Sequence, residues 1–125
     1  MDEKILSGEV IGAAIEVHRA LGPGLLESAY ELALERELQL RGLTVVRQKA
    51  VFLEYKGVAL GDAFRIDLLV NDGLLVEIKA AEQTQPLHEA QLLTYLRLTG
   101  KALGLLINFN VKTLKDGVRR VVNGL

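Results

Sequence analysis

The stretch Phe64-Arg65-Ile66-Asp67-Leu68-Leu69-Val70-Asn71-Asp72-Gly73-Leu74-Leu75-Val76-Glu77-Ile78-Lys79 decides the fold. Aliphatic residues recur at every second position on both sides of Asn71-Asp72-Gly73, the pattern of two strands joined by a tight turn. A two-residue Asp-Gly loop would set Leu68 opposite Glu77 and Asp67 opposite Ile78. Opposed residues point to the same face, so that register mixes acids with aliphatics on both faces. A three-residue loop with Gly73 in the left-handed conformation sets Asp67 opposite Glu77, Leu69 opposite Leu75 and Arg65 opposite Lys79. One face is then Phe64, Ile66, Leu68, Val70, Leu74, Val76 and Ile78. The aliphatic pattern selects this second register, because a slip by one residue sends the apolar set to the other face.

The elements around this hairpin follow from period and punctuation. Residues 4–20 carry Ile5, Leu6, Val10, Ile11, Ala14, Ile15 and Val17 at helical spacing, continued by Leu21, and Gly22-Pro23-Gly24 ends the helix. A second helix is expected from about Leu25 to Arg41, with Gly42 just past its end. Val45, Val51, Leu53 and Tyr55 then read as an extended stretch turning at Lys56-Gly57. Beyond the hairpin a third helix runs from about Pro86 to Thr99, closed by Gly100, and Ala102–Phe109 reads as a buried strand. The tail around Val118, Val121 and Val122 reads as a short strand. The order α-α-β-β-β-α-β gives an α/β (α+β) architecture, a mixed sheet with helices against it.

Composition bounds the functional classes. At 125 residues the expectation is one domain, residues 1–125. Fifteen Lys and Arg against sixteen Asp and Glu leave a formal charge of −1, which argues against nucleic-acid binding by bulk positive charge alone. The sequence contains no cysteine, which removes disulfides, thiolate zinc sites and a cysteine nucleophile. The start, MDEKILSGEVIG, has no signal-peptide apolar stretch, and no run is long enough to span a bilayer. A cytoplasmic protein without a membrane partner is expected. No Gly-rich phosphate loop follows a strand, and no histidine cluster suggests zinc.

The selected register has a chemical consequence. The Asp67 and Glu77 Cβ atoms fall about 5 Å apart on adjacent strands. Like charges so placed repel, and a divalent cation between them reverses the sign of the interaction. Mg²⁺ is commonly held by one or two carboxylates plus waters and substrate phosphate. Lys79 lies two residues beyond Glu77 on the same face, where an ammonium stabilises developing negative charge. The competing reading is a solvated sheet face with Lys79 neutralising Glu77. Leu69 and Leu75 share that face, which implies that something covers it, and acids beneath a cover need a partner.

Asp67 followed by Glu77-Ile78-Lys79 resembles the PD-(D/E)XK nuclease signature, an Asp and then an acid-x-Lys on the next strand. Gly24-Leu25-Leu26-Glu27-Ser28-Ala29-Tyr30 is similar to the motif that names the GxxExxY protein family, small bacterial members of that superfamily. Residues 11–18, 88–95 and 104–109 extend the likeness over nearly the whole chain. The resemblance implies a restriction-endonuclease-like core, α-β-β-β-α-β, with an added N-terminal helix. It implies Mg²⁺ or Mn²⁺ on Asp67, Glu77, the Ile78 carbonyl and Glu27, with Lys79 as the catalytic lysine. Gln91 and Tyr95 match a Gln-x-x-x-Tyr motif of the exonuclease-like branch. Ile66 stands where the superfamily often has Pro.

Other readings compete for several of these residues. Glu27 in a first helical turn is favoured by the helix dipole, so it doubles as a capping acid. Tyr30 shares a face with Glu27, and His88 lies three residues before Gln91, which makes both candidates for contacting substrate. For Gln91 and Tyr95, which share a helix face, the alternative is a core-edge tyrosine with a hydrogen-bonded amide, and for His88 a helix-start surface histidine. His18 falls on the first helix's apolar stripe and reads as a hydrogen-bonded core-edge residue. The expectation is a metal-dependent nuclease acting on nucleic acid, DNA ahead of RNA, with a homodimer as one way for so small a domain to grip a duplex. The alternative is a non-catalytic nucleic-acid- or protein-binding domain on the same scaffold.

Overall fold

A computed structural model describes residues 1–61 and 64–124. Helix α1 (Glu3–Leu21) starts where the Asp2 carboxylate accepts from the Ile5 N–H at 2.8 Å. Its inward stripe is Leu6, Val10, Ala13, Ala14 and Val17. Helix α2 (Glu27–Leu40) buries Tyr30, Leu34 and Leu38, one per turn. Gly42, at φ 80°, closes it as expected. The Gly42 N–H donates to the Gln39 carbonyl and the Leu43 N–H to the Leu38 carbonyl, the paired bonds of a Schellman stop.

Strands β1 (Val45–Val51), β4 (Phe64–Val70), β5 (Leu74–Lys79), β6 (Leu103–Asn108) and β7 (Val118–Val122) form one sheet in the order β1-β4-β5-β6-β7. Only β5 and β6 run parallel, joined by α3 (Pro86–Thr99). The fold is therefore the expected mixed α+β arrangement, a sheet flanked by helices. On one face α1 and α2 cover Leu68, Val70, Leu74, Val76, Ile78, Leu105 and Ile107. On the other, Leu92, Tyr95 and Leu96 of α3 pack with Leu69, Leu75, Leu106 and Val121.

Four details differ from the sequence reading. The extended stretch before the hairpin divides. The main sheet keeps residues only to Val51, and β2 (Glu54–Tyr55) pairs with β3 (Val58–Ala59) as a separate ribbon. Its turn uses Lys56 and Gly57, both at positive φ, the geometry that matches strand twist. At the central turn the left-handed residues are Asn71 (φ 49°) and Asp72 (φ 52°), not Gly73. Asn71 tolerates this because its side chain is employed: Oδ1 accepts from the Thr44 N–H at 2.8 Å and the Thr44 hydroxyl at 3.0 Å. The register is nonetheless the expected one, with Leu69 opposite Leu75 and Val70 opposite Leu74.

The third difference concerns Phe64 and Ile66, which pack with the α3-side cluster instead of sharing a face with Leu68 and Val70. The change of side falls at Asp67. There the β1–β4 ladder skips a rung between Arg47↔Leu68 and Lys49↔Ile66. Gln48, at that rung, adopts φ 55°, so strict alternation does not carry through it. The fourth is a short 3-10 turn, Leu114–Gly117, that leads into β7.

Candidate active site

The two hairpin strands part at the acids. Backbone pairing runs from Val70↔Leu74 to Leu68↔Val76, and at the next step side chains replace carbonyls as acceptors. Glu77 Oε1 accepts from the Asp67 N–H at 3.2 Å, and Asp67 Oδ2 accepts from the Ile78 N–H at 2.7 Å. Each carboxylate thus caps an amide of the opposite strand. A strand residue sends its N–H and C=O toward the same neighbour, so the Ile78 carbonyl also faces this opening.

The environment is strongly asymmetric. Glu77 is only 6% exposed, whereas Asp67 and Lys79 are half-buried. Burial, and then the Asp67 charge, push the Glu77 carboxyl up to about 8, against smaller opposing pulls from the Asp67 N–H hydrogen bond and then the Lys79 charge. Tyr95 on α3 responds to the same pair. Burial raises its phenol, and the Glu77 and Asp67 charges add to that. Tyr95 packs in the cluster of Ile66, Leu69 and Leu75, the neighbours of the acids on their strands, and its ring sits 5.6 Å from that of Phe64. Gln91, one turn earlier on α3, is exposed.

The end of β5 is held by a residue the sequence reading passed over. Asn108 pairs with Lys79 across the parallel ladder and is 3% exposed. Its Oδ1 accepts from the Ala81 and Asn110 N–H groups, both at 3.1 Å, and its Nδ2 donates to the Ala81 carbonyl at 2.8 Å. An Asn closing an otherwise apolar strand was the available signal. Asn108→Ala leaves these backbone groups without partners and is expected to cost about 3 kcal/mol in chemical denaturation.

Other residues singled out in the sequence lie elsewhere. Glu27 is exposed at the start of α2 and does not join Asp67 and Glu77. One turn on, Glu31 is 7% exposed and turns toward the site. Gln48 Nε2 donates to Glu31 Oε1 at 2.8 Å and to Asp67 Oδ1 at 3.3 Å. Tyr30 is not placed to touch substrate. Its ring is fully buried and stacks on Phe109 at 4.5 Å, and its hydroxyl donates to the Gly22 carbonyl and accepts from the Leu25 N–H. The tyrosine of the Gly-x-x-Glu-x-x-Tyr stretch therefore locks the bend between α1 and α2. His88 Nδ1 accepts from the Gln85 N–H at 3.1 Å, which commits that nitrogen to the start of α3. His18 Nε2 lies 2.8 Å from the Val111 carbonyl, the core-edge hydrogen bond expected of it.

Among the described residues, no three His, Cys, Asp or Glu side chains stand together as a ready-made metal cage. The donors at the opening still fit a hard dication. They are two carboxylates and a backbone carbonyl, and the buried member of the pair binds a proton in the absence of a cation. Glu31 and Gln48 were not legible as site residues. The first lies one turn from the acid that the motif draws attention to, and the second depends on a left-handed backbone that no spacing announces.

A family model described as the PD-(D/E)XK nuclease superfamily matches residues 4–121. No curated protein and no solved structure gives a significant match.

Proposed function

The chain belongs to the PD-(D/E)XK nuclease superfamily, and on that premise we propose that it is a metal-dependent nuclease that hydrolyses phosphodiester bonds of nucleic acid, DNA ahead of RNA. The observation that carries the reading is the parting of β4 and β5, which leaves Asp67 and a deeply buried Glu77 facing one another. Asp67, Glu77 and the Ile78 carbonyl hold Mg²⁺ or Mn²⁺. Such an ion supplies Lewis acidity toward the phosphate and acidifies a water. Lys79, at the mouth of the opening, stabilises negative charge on the attacking oxygen and the phosphate. Tyr95, from the covering helix, and Gln91, one turn away, orient the nucleophile or the phosphate. We read residues 1–125 as one such domain, of the GxxExxY type, acting in the cytoplasm.

A metal titration tests this. Mn²⁺ or Mg²⁺ at millimolar concentration is expected to raise the melting temperature by several degrees, because a ligand of the native state stabilises it. The same ions are expected to switch on cleavage within a panel of single- and double-stranded DNA and RNA. Neither a thermal shift nor cleavage would leave the non-catalytic binding domain as the better reading.

A further inference from the structure

Among the described residues of the main sheet, Gln48 alone departs from extended geometry to a positive φ, 55°. A left-handed conformation costs a residue with a Cβ roughly 1–2 kcal/mol and persists only where its surroundings demand it. The skipped rung in the β1–β4 ladder coincides with this residue and with Asp67. In place of a backbone pair, the half-buried Gln48 amide spans two carboxylates, Glu31 at 2.8 Å and Asp67 at 3.3 Å. Arg47 completes the far side, with Nη1 3.5 Å from the same Glu31 oxygen.

From this we infer that Gln48 is a positioning residue: its kinked backbone aims an amide that ties Asp67 to Glu31 and so holds Asp67 ready for a cation shared with Glu77. The role rests on the metal reading above. Asp67 Oδ2 is already occupied by the Ile78 N–H, so rotation of the carboxylate about its last bond is governed by what holds Oδ1. A carboxylate oxygen has lone pairs enough for an amide and a cation together. Hydrogen bonds to liganding groups typically change metal affinity 10–100-fold when removed. Arg47 also neutralises the Glu31 charge, and the Gln48 amide hydrogen-bonds the same carboxylate oxygen, so that both link β1 to α2 beside the site.

The test compares Gln48→Gly and Gln48→Glu with the unsubstituted chain, using melting temperature with and without Mn²⁺ and the Mn²⁺ dissociation constant by calorimetry. Glycine relieves the backbone and removes the amide. It is expected to keep or raise the metal-free melting temperature while weakening Mn²⁺ binding about tenfold or more. Gln48→Glu places a third acid between Glu31 and Asp67. It is expected to lower the metal-free melting temperature and to enlarge the increment that Mn²⁺ restores. A merely structural role would move the metal-free value and leave the Mn²⁺ constant alone. An unchanged constant in Gln48→Gly overturns the positioning role and spares the metal reading. No Mn²⁺ binding to the unsubstituted chain overturns both.

Discussion

Glu77→Gln is expected to lower metal-dependent cleavage by about 10³-fold or more while leaving the fold intact. The amide keeps an oxygen for the Asp67 N–H but carries no charge for a cation. The same variant reports on electrostatics without any substrate. In the metal-free protein the Glu77 carboxyl rises from an ordinary 4.5 to about 8, through burial first and the Asp67 charge second. A raised folded value means that the native state holds its proton more tightly than the unfolded chain. The stability linked to that proton is complete below about 4.5 and is lost as pH rises through about 8. A tenfold difference in proton affinity between the two states is worth about 1.4 kcal/mol, so the loss across this window is on the order of a few kcal/mol. Denaturation at acid and alkaline pH is expected to show this slope in the unsubstituted chain and to lose it in Glu77→Gln. The amide variant is expected to gain stability relative to its parent as pH rises from about 4.5 to about 8. A parallel pH dependence in both proteins would place the buried proton elsewhere.

Lys79→Met is expected to reduce cleavage about 10²–10³-fold at saturating metal. Methionine retains the apolar stem of this half-buried side chain and removes the ammonium. Loss of a cation beside Glu77 also removes the one charge that pulls the carboxyl downward, so its proton is held more firmly and Mn²⁺ displaces it less readily at neutral pH. The expected signature is a large fall in turnover with a smaller, pH-sensitive rise in the metal concentration required. Full turnover in Lys79→Met would remove the lysine from the chemistry.

How far the sequence could be read depended on which residues obey a period. The hairpin register was legible because aliphatics on both strands can be buried together in only one alignment. That alignment alone brought Asp67 level with Glu77. The cover over the acids was also legible, since Leu69 and Leu75 needed a partner and α3 supplies it. Gly42 and Gly100 stop their helices where an unbranched left-handed residue was required. What escaped depends on contacts between segments distant in the chain. Tyr30 belongs to the apolar set of its helix and also shares a face with Glu27, and what spacing could not show is that its hydroxyl folds back on Gly22, a bond that exists only once the α1–α2 bend has formed. Phe64 and Ile66 keep the spacing of Leu68 and Val70 but pack with α3, because the ladder is broken at Gln48. Glu31 and Asn108 became visible only when burial singled them out among many acids and amides.

The Asn71–Asp72 turn lies four to five residues from Asp67, roughly 13–17 Å along a strand. It never approaches the acids, yet it sets their parity. Removing one residue there would leave both strands intact as strands and still slip their pairing by one, so that Asp67 and Glu77 no longer stand level. Chemistry at one end of the hairpin is thus conditional on an odd loop at the other, clamped by Asn71 onto Thr44.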